Sequence, residues 1–214
     1  MSKDDILKKG KVLESKDGIP SKIRTPKFRV SFPSVFRPDS FGDSEPKYGL
    51  TMLFDKDDTD LTLMKKAVEA VARAKFDLKK LKAKKKKLKL PFRDGDTDDA
   101  RSGYDGYENN IFVNVTSKVN KPKVVGLDKK DIENESDFYA GCFARAVLSI
   151  YPFDRPDSKG VTFGLLSVQK LEDGNPFGTS SDPESDFDDE VSEALADNDN
   201  DNDDDSFEDD DLWS

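Results

Sequence analysis

The acidic end of the chain limits which residues can take part in a folded core. Residues 182–214 contain 17 of the 45 acidic residues of this 214-residue chain and none of its 35 lysines and arginines. A segment with so much like charge cannot bury enough apolar surface to fold, so we predict a disordered acidic tail over residues 179–214. The rest of the chain holds 28 acidic and all 35 basic residues, a net charge of +7. This asymmetry favours binding of the body to a polyanion such as a nucleic acid.

Two scarce residue types narrow the possible chemistry. The chain has no histidine and a single cysteine, Cys142. It therefore lacks the imidazole base of Ser–His and Cys–His nucleophiles and the imidazole ligands of many zinc sites. One cysteine forms neither an internal disulfide nor a thiolate cluster, and we interpret Cys142 as a buried small hydrophobe. We expect a protein that is not an enzyme and holds no cofactor or metal.

Hydropathy predicts no contact with a membrane. No apolar run reaches the roughly 20 residues of a membrane span, and the first residues lack the apolar core of a signal peptide. We therefore expect a cytoplasmic protein.

Two hydrophobic periods alternate along the body. Apolar residues two positions apart predict strands, with Phe28, Val30 and Phe32 facing the same way in the first of them. Apolar residues three and four apart predict one helix after the second strand. The predicted strands cover residues 27–32, 48–54, 111–116, 138–151 and 161–171, with a weaker one at 123–126 and the helix at about 60–82.

This pattern is typical of a mainly β fold, an OB-fold-like five-stranded antiparallel barrel with one inserted α-helix. Residues 25–178 would form this nucleic-acid-binding domain. Residues 1–24 are polar with little periodicity, and we predict a flexible N-terminal arm there.

Binding of single-stranded nucleic acid needs exposed aromatic rings for the bases and cations for the phosphates. One face of the strand at 138–151 combines both, and aromatic and basic residues also lie in the strand at 111–116 and in the loops beside it. Each aromatic ring has the alternative of packing in the barrel core. The candidate site residues are Arg93, Tyr104, Tyr107, Phe112, Lys118, Lys121, Lys123, Tyr139, Phe143, Arg145 and Tyr151.

Two charged runs each have two interpretations. The lysines between Lys79 and Lys89 either grip phosphates or form a solvated helix end. The carboxylates between Asp94 and Asp99 resemble part of a calcium loop, but Asp105 stands where the bidentate glutamate belongs. Solvation of the loop explains these carboxylates more simply, and the alternative is a metal-dependent nuclease.

The tail is not purely acidic. Its apolar residues Phe207, Leu212 and Trp213 stand in an anionic field, which predicts a docking peptide for a partner protein. The alternative is a tail that mimics DNA to occupy another protein.

Four runs of the body resemble those of the single-stranded DNA-binding proteins of tailed phages: Thr25–Pro33, Leu90–Asp96, Phe138–Ala146 and Gly160–Lys170. The resemblance covers about residues 22–178 and implies an OB-fold that binds single strands with little sequence specificity. It further implies a role in coating and protecting DNA during phage replication, recombination and repair, in the cytoplasm of a bacterial host. By similarity, the tail would recruit replication proteins such as a polymerase, helicase or primase, and we expect it to compete with DNA.

Overall fold

The structure is a computed structural model that describes residues 3–40, 45–79, 87–98, 101, 103–118 and 120–178, with side chains from Ile6 onward. The elements in chain order are helix α1 (Lys3–Lys8), strands β1 (Lys11–Lys16), β2 (Ile19–Arg24), β3 (Phe28–Asp39) and β4 (Lys47–Asp55), helix α2 (Thr62–Lys75), strands β5 (Arg93–Asp94), β6 (Asn110–Ser117) and β7 (Lys123–Val125), a 3-10 turn (Glu135–Asp137), and strands β8 (Phe143–Asp154) and β9 (Lys159–Glu172).

Five of these strands close into a ring. Strand β4 lies between β3 and β6 in an antiparallel meander, β3 pairs with β8, and β8 pairs with β9. The ring closes where β9 returns to β6 in parallel, at the pair Thr116 and Gly164. This connectivity confirms the predicted OB-fold-like barrel, with one parallel pairing among the antiparallel ones.

The predicted helix is confirmed, with a shorter length. Its apolar stripe, including Met64, Val68 and Val71, is buried against the barrel. The helix ends at Lys75 because Phe76 takes an extended conformation and buries its ring in the core. Neither helix of the described ranges is long and apolar enough to span a membrane.

The predicted flexible arm is wrong for the residues described within it. Strands β1 and β2 form a hairpin, and β2 pairs with β8 so that Ile23 is fully buried opposite Leu148. The two-residue turn of this hairpin, Asp17 and Gly18, has positive φ at both positions, as in a type I′ turn. The Asp-Gly pair was the sequence signal for this hairpin.

Strand β4 is buried on both faces, which positions the candidate site. Its residues Leu50, Met52 and Phe54 face the interior of the barrel, in the core that also holds Cys142. On the outer side, Leu53 packs in a second core with Tyr107 and Phe112, covered in part by Phe177. The barrel therefore carries a small hydrophobic core on its outer surface, over strands β4 and β6.

Candidate nucleic-acid interface

The second core continues to the surface as a chain of aromatic rings, here called the aromatic cluster: Phe32, Tyr104, Tyr107 and Phe112. The ring centroids are 5.2 Å apart for Phe112 and Tyr107, 6.1 Å for Tyr107 and Tyr104, and 5.7 Å for Tyr104 and Phe32, all edge-to-face. The two inner rings are buried, whereas Phe32 is 48% exposed and Tyr104 50% exposed. The buried rings thus support two rings that offer their surface to solvent.

An arginine lies over the exposed rings. The guanidinium carbon of Arg101 is 4.7 Å from the ring centre of Phe32 and 5.3 Å from that of Tyr104. Arginine keeps its charge at every physiological pH and binds phosphate oxygens through a planar fork of N–H donors. A cation and two aromatic surfaces are therefore presented together.

Next to the aromatic cluster lies a groove with a floor of small polar residues, here called the barrel groove. Thr51 and Asn114 stand opposite each other on β4 and β6, and the Thr51 hydroxyl donates to Asn114 Oδ1 at 2.7 Å. The groove is lined by Phe32, Ser34, Asp39, Ser40, Glu45, Lys47, Gly49, Leu50, Thr51, Arg101, Asn114, Val115 and Thr116. Small side chains on its floor leave room for flat groups such as bases, and Phe32 and Arg101 form one wall.

Carboxylates anchor the loop that carries Arg101 and Tyr104. The Lys56 ammonium donates to Asp94 at 2.6 Å and to Asp96 at 2.5 Å, and Asp96 also accepts from the Asn109 backbone at 2.7 Å. Hydrogen bonds from Lys56 lower the pKa of both aspartates, and those same bonds raise the pKa of Lys56. All three groups are therefore charged at neutral pH, and their contacts fix the base of the loop.

The same contacts bear on the metal interpretation of this loop. The carboxylates of Asp94 and Asp96 turn toward Lys56, and Asp98 pairs with Arg93. Within the described residues no group of three or more acidic or thiol side chains is arranged to hold a metal ion, and Asp99 lies outside them. Loop architecture accounts for the three described carboxylates.

Two of the candidate stacking residues are buried. Tyr107 is 1% exposed and Phe112 is fully buried, so the prediction that they offer their rings to bases is wrong. Phe112 does lie on the polar face of β6, as its alternation indicates, but the loop from β5 to β6 folds over this face and covers it. The cation of Arg93 lies 4.9 Å from the Phe112 ring centre.

The predicted orientation of β8 is confirmed. Its even-numbered residues from Ala144 to Ile150 are buried, and the aromatic and basic residues alternate with them on the outer face. Of the three candidates in this strand, Phe143 has its ring centre 4.9 Å from the Lys27 ammonium, and Arg145 donates to Gln169 at 2.8 Å. Tyr151 is 44% exposed.

Tyr139 precedes that strand and has its own partners. Its hydroxyl donates toward Asp173 Oδ1 and the Gly174 carbonyl, both at 3.0 Å. This half-buried ring therefore ties the segment after β9 to the barrel.

The candidate lysines lie beyond β6. Lys118, Lys121 and Lys123 are all exposed, and the Lys121 ammonium is 5.6 Å from the ring centre of Phe36. Of the lysine run, Lys80–Lys86 lie outside the described residues, as do the tail residues Phe207, Leu212 and Trp213.

Sequence reasoning missed Phe32 and Arg101. Phe32 was expected to face the same way as Phe28 and Val30, but its φ is +46° and the pairing of β3 with β4 shifts between Ser31 and Ser34. This bulge turns the ring outward. Pro33 was the available signal, because proline inside a strand favours a bulge or an edge.

Comparison with known proteins places these features in a family. The model of the Enterobacter phage Enc34 single-stranded DNA-binding protein family matches residues 21–205. Protein p50 of Acyrthosiphon pisum secondary endosymbiont phage 1 is 28% identical over 164 residues, 73% of this chain and 86% of p50.

Solved structures agree with this match. The single-stranded DNA-binding protein of bacteriophage Enc34, in complex with single-stranded DNA, has a TM-score of 0.57 and 27% identity, with 74% of this chain and 90% of that chain covered. The single-stranded DNA-binding protein gp2.5 of bacteriophage T7 shares the fold, with a TM-score of 0.52, 15% identity, and 78% and 94% covered. The resemblance found in the sequence is thereby confirmed, and the chain belongs to the Enc34 family of phage single-stranded DNA-binding proteins.

Proposed function

We propose that this chain binds single-stranded DNA in the barrel groove with little sequence preference. The observation that carries this proposal is the pair of half-exposed rings, Phe32 and Tyr104, held beside Arg101 at the groove. Bases stack on such rings irrespective of their identity, because every base has a flat π-face. A duplex hides those faces, so the site favours unpaired strands.

The two rings supply a useful share of the affinity. Stacking contributes roughly 1–3 kcal/mol per base, and the buried rings of Tyr107 and Phe112 hold Tyr104 in place before DNA arrives. Arg101 adds a phosphate contact, whose contribution falls as salt rises. The proposed role is to coat and protect single strands during phage replication, recombination and repair, without making or breaking a bond.

The acidic tail is proposed to compete with DNA and to recruit replication proteins. Support for the first part comes from the end of the described chain, where the Gly178 N–H donates to the Asp105 carboxylate at 3.2 Å. Asp105 follows Tyr104, so the last described residue lies beside the residue that follows Tyr104 of the aromatic cluster. Competition predicts that removing residues 182–214 tightens DNA binding at low salt and flattens its salt dependence; unchanged affinity at low salt would contradict it.

Fluorescence anisotropy of a labelled oligo-dT tests the central proposal. Full-length protein should bind the single strand and leave a duplex of equal length largely unbound. Tyr104→Ala should weaken binding, whereas Leu127→Ala, which removes a 67% exposed apolar side chain outside the groove, should not. Equal binding of single strand and duplex, or no effect of Tyr104→Ala, would refute the proposed site.

A further inference from the structure

A second set of cations lies on the outer face of the sheet, in a row of five residues on neighbouring strands. Lys11, Arg24, Val147, Ser167 and Lys123 stand in register across β1, β2, β8, β9 and β7. Residues directly opposite each other in a sheet project from the same face, so these cations share one surface. None of the five lines the barrel groove.

Arg145 joins this surface without an acidic partner. It stands two residues before Val147 on the same face of β8, and its Nε donates to the neutral Gln169 at 2.8 Å. Burial and the nearby charge of Arg24, in that order, lower the pKa of Arg145. Among the described residues, no carboxylate lies within ion-pair distance of Arg24, Arg145 or Lys123.

Two neighbouring guanidinium groups without a counter-ion are poised for an anion. Holding like charges together costs free energy that a bound phosphate would recover, and the guanidinium fork matches phosphate geometry. Glu14 is already paired with Lys22 on this hairpin, so it does not neutralise the arginines. The surface named here, the arginine face, consists of Lys11, Arg24, Lys123 and Arg145.

A belt of small residues connects the barrel groove to the arginine face. The four small residues Gly49, Thr116, Gly164 and Ser149 stand in register across β4, β6, β9 and β8. Lys22 of β2 lies opposite Ser149, at the end of the belt next to the arginine face. At Gly164 an added Cβ would lie 2.6 Å from the Ser149 hydroxyl and 3.2 Å from the ring edge of Tyr151, so a larger residue there would have to displace these side chains. The small side chains of the belt thus leave a shallow channel beside the half-exposed Tyr151.

We propose that a DNA strand leaving the barrel groove follows this belt and places its phosphates on Arg24 and Arg145. The inference rests on the proposed function and extends it, because it makes the hairpin β1–β2 part of the binding surface. The ligand is the phosphodiester backbone of the same single strand. The arginine face carries many hydrogen-bond donors and little aromatic surface. It should therefore strengthen the binding of strands long enough to reach it, irrespective of their base sequence.

The test compares a short oligo-dT of about 8 nucleotides, which lies within the roughly 4–16 nucleotides that one OB-fold occupies, with a long one of about 20, which exceeds that range. The variant is Arg24→Gln with Arg145→Gln. The control, Lys65→Gln with Lys75→Gln on exposed positions of α2, removes the same charge. Thermal unfolding of each full-length protein checks the fold.

The double arginine variant should bind the short strand as the unmodified protein does and lose the extra affinity for the long strand. Its slope of log affinity against log salt for the long strand should become shallower by about 1.4, since each single-strand phosphate contact contributes about 0.7. Lys123→Gln, at an exposed site, should change the slope by about half as much and serves if the double variant fails to fold.

Three results would overturn the inference. They are an unchanged slope for the long strand, an equal loss of affinity for both lengths, and a matching effect of the α2 control. Failure of the proposed function is distinct, because the unmodified protein would then bind neither length.

Discussion

Replacing Phe32 with glycine should remove a contact of β3 with DNA and leave the fold of β3 unchanged. The positive φ of Phe32, +46°, lies in a region that costs most side chains roughly 1–2 kcal/mol and that glycine adopts freely. Glycine also gives the unfolded chain more freedom, worth about 0.4–1 kcal/mol in the opposite direction. The ring is 48% exposed, so little core packing is lost, and we expect the thermal midpoint of Phe32→Gly to stay near that of the unmodified protein.

The binding of DNA should respond quite differently. Losing one stacked base removes roughly 1–3 kcal/mol. At about 1.4 kcal/mol per tenfold change in the dissociation constant, oligo-dT should bind roughly 5- to 150-fold more weakly. Anisotropy titrations at fixed salt measure this change, and Phe32→Trp should restore affinity because it restores a ring. The reasoning would be refuted by a folded Phe32→Gly protein that binds oligo-dT within about twofold of the unmodified protein.

Two further predictions concern the anchored loop and the buried thiol. Because Lys56 lowers the folded-state pKa of Asp94 and Asp96 below the ordinary value of about 3.9, their stabilisation is complete well above that pH and is lost as the pH falls through the depressed values. The difference in thermal midpoint between the unmodified protein and Lys56→Met should therefore shrink between pH 5 and pH 2.5, and a difference that stays constant with pH would contradict this. Cys142 is fully buried, and burial raises the pKa of its thiol, so a thiol reagent should modify it only in denaturant; rapid labelling of the native protein would show that the barrel opens there.

Regular elements were predictable because their residues follow one period. The stripe of Met64, Val68 and Val71 identifies α2, and the small residues from Ala144 to Ile150 orient β8, since each set needs only local geometry to face the core. These elements decide the fold class.

The candidate site was harder to predict because it depends on what covers each face. Phe112 occupies a polar face of β6, and only the path of the irregular loop before this strand decides that Tyr107 covers it. Phe32 turns outward through a bulge, which breaks the period-two alternation that placed it on one face with Phe28 and Val30. Such effects come from tertiary contacts and backbone defects, and hydropathy patterns do not record them.

The closure of the ring sets the order in which the chain can acquire its fold during synthesis. Strand β2 pairs locally with β1, and β3 pairs locally with β4. Their second partner is β8, at Ile23 and Leu148 and at Phe28 and Ala144, so it is gained only when residues far along the chain exist. Until β8 and β9 leave the ribosome, the outer edge of β3 is unpaired, and the outer edge of β6 is paired only with the two-residue strand β5. Long-range pairing of this kind slows folding and leaves edges open to other chains. The barrel can therefore close only after most of the chain has been translated. High expression without chaperones should favour aggregation over closure of the barrel.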